Sequence, residues 1–200
     1  MESWSSVLYW LAQLRSPGPR ARRRQISQAR ADLTEILADT ADRLQRAEAG
    51  VALEAPRPGG VGAYAAGTWS VTLAAGAARL RIDLWDQGRY GPIPGHAMIM
   101  AGMVVIARRR SDTEVNAANL VYEQAGDQPG WQVYRFRQDM GAPADDRPGF
   151  RGPARGLSYS EFFDRAGRYF AGTSGQAWQT DVMRLTSTTL LDLFREAVQL

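Results

Sequence analysis

Apolar positions along this chain change period from helical to alternating and back to helical. Trp4, Val7, Leu8, Leu11 and Leu14 form one stripe of an amphipathic helix. Ser16-Pro17-Gly18-Pro19 stops it, because neither proline continues the ladder. A second stripe (Ile26, Ala29, Leu33, Ile36, Leu37, Ala41, Leu44 and Ala47) predicts a helix from about Arg22 to Ala49. Asp39 with Arg43, and Asp42 with Arg46, stand four residues apart and support it. Two stripes with a short linker read as an antiparallel helical hairpin. The stretch from Val51 to Gly67, with Pro56, Pro58, Gly59 and Gly60, reads as a hinge.

From Thr68 the period is two. Trp69, Val71 and Leu73, then Leu80, Ile82 and Leu84, alternate with polar or small residues and predict a hairpin. The longest apolar run, Ala97 to Ala107, is apolar on both alternating sets. Met98, Met100, Val104 and Ile106 form one, and Ile99, Ala101, Met103 and Val105 the other. That pattern fits a central strand covered on both faces. Ser111–Ala117 reads as a polar turn. Asn119–Glu123 and Trp131–Arg137 read as further strands, and Ala177–Leu185 as a sixth.

Asp139 to Gly156 reads as a long loop. Ser158 with Glu161 has the spacing of a capping box, opening a helix with Phe162, Phe163, Ala166, Tyr169 and Phe170. Ser187 is expected to cap a last helix bearing Leu190, Leu191, Leu193, Phe194, Ala197 and Val198. The fold expected is α+β: an N-terminal helical hairpin, an antiparallel β-sheet of five to six strands, and two C-terminal helices packed on one face. The hairpin is taken as residues 1–50 and the α+β core domain as 61–200.

Composition narrows the chemistry. All 24 basic residues are arginine, and the chain has no cysteine and one histidine. Disulfides, thiolate nucleophiles and iron–sulfur sites are excluded, as are Schiff-base lysines and the Walker A lysine. The glycine-rich 61–67 stretch lacks any phosphate-loop signature. No cofactor and no metal site is expected. No segment is apolar for long enough to span a bilayer, the N-terminus lacks the features of a secretory signal, and cytoplasm is the default compartment.

Catalytic residue types gather in one place only: Asp83 and Asp86, followed by His96. A hydrolase could use His96 as general base with an aspartate orienting it, and Asp83 with Glu123 could serve a metal-dependent nuclease. Asp83 is expected to point away from the Leu80–Ile82–Leu84 face. The arginines are distributed unevenly. Arg20, Arg22, Arg23, Arg24 and Arg30 precede every acid of the second helix, an order that opposes the helix dipole. Arg108, Arg109 and Arg110 close the long apolar strand. An arrangement that costs stability suggests a use outside the fold. The leading expectation is a non-enzymatic interaction or regulatory module, docking a protein partner or a second copy through its arginine-rich hairpin. Nucleic-acid binding through the two arginine clusters, and hydrolysis at Asp83, Asp86 and His96, are the alternatives.

Overall fold

The computed structural model describes residues 19–47, 50–54, 57–58, 67–76, 78–85, 98–108, 111–125, 128–138, 154–162 and 178–199. Helix α1 (Pro19–Arg46) is followed by strands β1 (Val51–Leu53), β2 (Arg57–Pro58), β3 (Gly67–Ala75), β4 (Ala78–Trp85), β5 (Met98–Arg108), β6 (Ser111–Ala125) and β7 (Gln128–Gln138). A helical turn α2 (Tyr159–Glu161), strand β8 (Trp178–Arg184) and helix α3 (Ser187–Gln199) complete the order. The expected first helix and the glycine-rich stretch from 61 to 66 lie outside the described residues.

Helix α1 starts three residues before the predicted Arg22. Proline fits the first helical position, because its missing N–H would have no intrahelical partner there. The mixed α+β character holds, with more strands than the sequence pattern indicates. Eight strands form one antiparallel sheet in the order β1-β3-β4-β5-β6-β7-β8, with β2 beside β3 as well. From β3 onward each strand pairs with the next in sequence, a meander. β1 and β2 account for the higher count, and β6 is longer than expected. Part of the expected hinge pairs with the outer edge of β3, through Val51↔Ala75 and Arg57↔Ser70. The expected polar turn Ser111–Ala117 is instead the first half of β6, where Glu114 sits opposite Ala107. Polar residues are tolerated in an antiparallel strand wherever its face is open to water.

The sheet is apolar on both faces. On the first, Leu73, Leu80, Ile82, Leu84, Met100, Val104, Leu120 and Val133 pack beneath Ala29, Leu33 and Leu37 of α1 and Leu190, Leu193 and Phe194 of α3. On the second, Trp85, Met98, Ala101, Met103, Val105, Val121, Tyr134 and Phe136 pack with Leu157 and Phe162. The long apolar strand is thus covered on both sides, but its alternation is broken. A register shift between Met98 and Met100 leaves Met98 in the second cluster and Ile99 against the first, the reverse of strict alternation. An extra residue in a bulge flips every side chain beyond it.

The two C-terminal helical elements do not share a face. α3 lies with α1, whereas Phe162, at the end of α2, is buried in the second cluster. The capping box is present: the Ser158 hydroxyl accepts from Glu161 N–H, and the Glu161 carboxylate accepts from Ser158 N–H. Residues 163–170 of the expected helix lie outside the described residues. Ser187 falls inside α3. Thr186, one residue earlier, accepts the Thr189 N–H on its hydroxyl at 3.2 Å and caps the helix.

Residues 154–162 form a strap across the second face. Arg155 exchanges both backbone hydrogen bonds with Phe136, at 2.8 and 2.9 Å. Gly156 donates to the Asn116 carbonyl at 2.9 Å, beside the irregularity that separates Asn116 from Ala118 in the β5–β6 register. A Cβ on Gly156 would stand 2.7 Å from the Ala118 backbone, so only glycine lets the strap lie this close. Asn119, fully buried, accepts the Leu157 N–H at 2.6 Å and donates to the Leu157 carbonyl at 2.9 Å.

Candidate functional site

The arginine-rich start of α1 is held in place from behind. The Trp131 indole N–H donates to the Ala29 carbonyl at 2.8 Å. The Tyr122 hydroxyl donates to Asp32 Oδ2 at 2.7 Å, and Gln28 donates to Asp32 Oδ1. Burial, and then the Asp32 carboxylate, push the Tyr122 pKa up, so this hydroxyl stays a donor throughout the accessible pH range. Trp131 and Tyr122 are register partners whose rings pack edge to face, 5.2 Å apart. Strands β6 and β7 therefore grip α1 by its third and fourth turns.

Ahead of that grip the helix carries no residue of the buried core, with Ile26 only partly buried. Arg20, Arg23 and Arg24 are exposed, and the first turn of α1 contains no acid. At 100° per residue they fall within about 100° of arc, on the side away from Ala29 and Leu33. None of the three makes an ion pair with a described residue. Five other described arginines are paired: Arg43 with Asp39, Arg81 with Asp83 and Glu114, Arg135 with Glu196, Arg155 with Glu161 and Arg195 with Asp192, whereas Arg46, Arg79 and Arg184 make no ion pair with a described residue either. Arg22 is partly buried and makes contacts of its own. Exposed Ser27, Gln28, Ala31 and Thr34 continue the cationic side of the helix, and its first exposed acid is Glu35.

The second arginine cluster is elsewhere. Arg108 ends β5 opposite Ala78, at the far end of β4 from Trp85. The grip on α1 sits at the Trp85 end, where Trp85 pairs with Ala101 and Tyr122 with Met100. From there α1 runs toward β1, so Arg20, Arg23 and Arg24 lie at the end of the helix away from β1. Arg109, Arg110, Asp86 and His96 lie outside the described residues.

Asp83 turns away from Leu80, Ile82 and Leu84 of the helix-covered core, as alternation requires, but it is buried rather than solvated, at 5% exposure. Arg81 Nε donates to Asp83 Oδ2 at 3.0 Å, and its two terminal nitrogens grip the Glu114 carboxylate, one of them at 3.1 Å. Burial works against the Arg81 charge, but Glu114 and Asp83 outweigh it and raise its pKa. Asp83 Oδ1 is buried without a hydrogen-bond partner among the described residues, and Ser70 stands directly across on β3. The arrangement ties β4 to β6.

Glu123 shares this face but does not join the cluster. The register sets Asp83 beside Met103 and Asn119, and Glu123 lies four residues further along β6, roughly 13 Å away along the strand. Among the described residues no group of three or more acids and histidines could hold a metal ion. No helix among them is long and apolar enough to cross a membrane. The pattern of the sequence does not reveal the Asp32–Tyr122 and Ala29–Trp131 bonds, because neither partner's spacing signals the other. Comparison with protein-family models, characterised proteins and solved structures found no match.

Proposed function

We propose that this protein is a non-enzymatic interaction module that docks an anionic partner through Arg20, Arg23 and Arg24. The observation that carries the reading is that these three guanidinium groups are exposed on one side of a helix start with no acid in its first turn. Arg20, in the first turn, opposes the positive end of the helix dipole at a cost of about 0.3–1 kcal/mol, and Arg23 and Arg24 follow in the second turn. An anion bound at that end relieves both the repulsion and the dipole. The grip by Trp131 and Tyr122 supports the reading further, since a surface held rigid before binding loses less entropy on association.

Retention on immobilised heparin tests it. Wild-type protein is expected to elute at clearly higher salt than the triple variant Arg20→Ala, Arg23→Ala, Arg24→Ala. Equal elution of the two would remove the reading.

A further inference from the structure

We infer that the anionic partner of Arg20, Arg23 and Arg24 is a second copy of this chain, its α1 lying antiparallel to the first across a two-fold axis at Ala31, an inference that rests on the anion-docking reading above. The outer side of α1 carries charge in two blocks. Arg20 and Arg24 are exposed in its first half, and Glu35 and Asp42 are exposed in its second. None of these four makes an ion pair with a described residue. At 100° per residue, Arg20, Arg24, Ser27, Glu35, Ala38 and Asp42 all fall within about 40° of Ala31 around the helix, so they share one exposed stripe. Within one copy Arg20 and Asp42 are about 33 Å apart along the axis and cannot meet.

A cationic block followed by an anionic block on one stripe complements a copy of itself that runs the opposite way. Arg20 and Asp42 stand equally far from Ala31 on its two sides. A two-fold axis at Ala31 therefore brings each Arg20 against the Asp42 of the other copy. Arg24 falls opposite Ala38, between Glu35 and Asp42 of that copy, and Arg23 on the flank falls opposite Asp39. The middle of the stripe is Ser27, Ala31 and Ala38, small side chains that let two helix axes approach to about 8 Å. Antiparallel packing also sets the cationic start of each helix beside the later turns of the other, toward the negative end of its dipole. A parallel pair would instead face like charges with like. Charged and polar groups dominate the contact, so the dimer is weak and sensitive to salt.

The test is sedimentation equilibrium of the full chain at about 50 and about 500 mM salt. A monomer–dimer equilibrium is expected at the lower salt, with association at least about tenfold weaker at the higher. Glu35→Arg with Asp42→Arg makes the stripe cationic throughout, and Arg20→Glu with Arg24→Glu makes it anionic throughout. Each variant alone is expected to stay monomeric, whereas an equimolar mixture of the two is expected to form dimers. Recovery in the mixture shows that both variants are folded and that the helices pair with each other. A mixture that stays monomeric would overturn the inference, as would either variant alone dimerising as well as wild-type protein. If wild-type protein is monomeric at low salt while the variant lacking Arg20, Arg23 and Arg24 loses heparin retention, self-association falls and the anion-docking reading stands with a different partner.

Discussion

Asn119 takes the place of a strand. Its carboxamide presents one acceptor and one donor to the backbone of Leu157, so a single side chain pairs with the strap as a neighbouring strand would. Asn119→Leu removes both bonds and leaves the Leu157 N–H and carbonyl buried without partners, at about 1–3 kcal/mol for each group. Chemical denaturation followed by fluorescence is expected to register a loss of about 2–6 kcal/mol for the two groups together. Glu161 gives the strap a pH dependence. Burial draws its pKa up, but the Ser158 hydrogen bonds and Arg155 prevail and bring it down to about 2 from 4.5. A lowered pKa means stability that is complete above about 4.5 and is lost as pH falls toward about 2. Glu161→Gln is expected to flatten the acid limb of a stability–pH profile over that window.

At the scale of elements, periodicity carries the sequence reading where one face of a segment is buried and fails where no face is. α1, β3 and most of β4 show clean stripes because their opposite sides carry polar or small residues, whereas β7 places Trp131 and Val133 in one cluster and Tyr134 and Phe136 in the other. The first half of β6 shows none, since Glu114 and Val115 are both exposed there and its strand character comes from pairing with β5. β1 and β2 are too short to display a period. The bulge at Met98 defeats alternation from within, because one extra residue reverses the sense of the pattern. For the site, the acid-free arginine run is plain from residue order, whereas its support is not: an indole reaching a helix carbonyl depends on how α1 crosses the sheet. Trp131→Phe removes that bond and part of the buried ring, and is expected to cost at least about 1–2 kcal/mol in denaturant titration. Reversing charge at the helix start should have the opposite effect on stability. Arg20→Glu is expected to raise the thermal midpoint while weakening heparin retention, since an acid in the first turn complements the dipole.

Across the whole molecule, α1 and α3 bury their apolar sides in the same cluster as five strands of the sheet, β3 to β7. Helix and sheet therefore depend on one another, and removing one layer leaves the other's apolar surface in water. Leu33, fully buried at that contact, makes a direct probe. Leu33→Ala is expected to cost about 2–5 kcal/mol, and far-ultraviolet dichroism and tryptophan fluorescence should still report a single shared transition. Separate transitions would show that the helix melts independently.

The bond from Trp131 to the Ala29 carbonyl has a consequence for geometry. A helix lying on a sheet can in principle roll about its long axis, and a ring that holds one particular carbonyl removes that freedom. The azimuth of everything upstream is then set by residue count alone. One alanine inserted after Gln25 would swing the leading guanidinium groups by about 100° without altering charge or the buried contacts behind them. Orientation, isolated in this way from attraction, becomes a quantity that a single codon can vary.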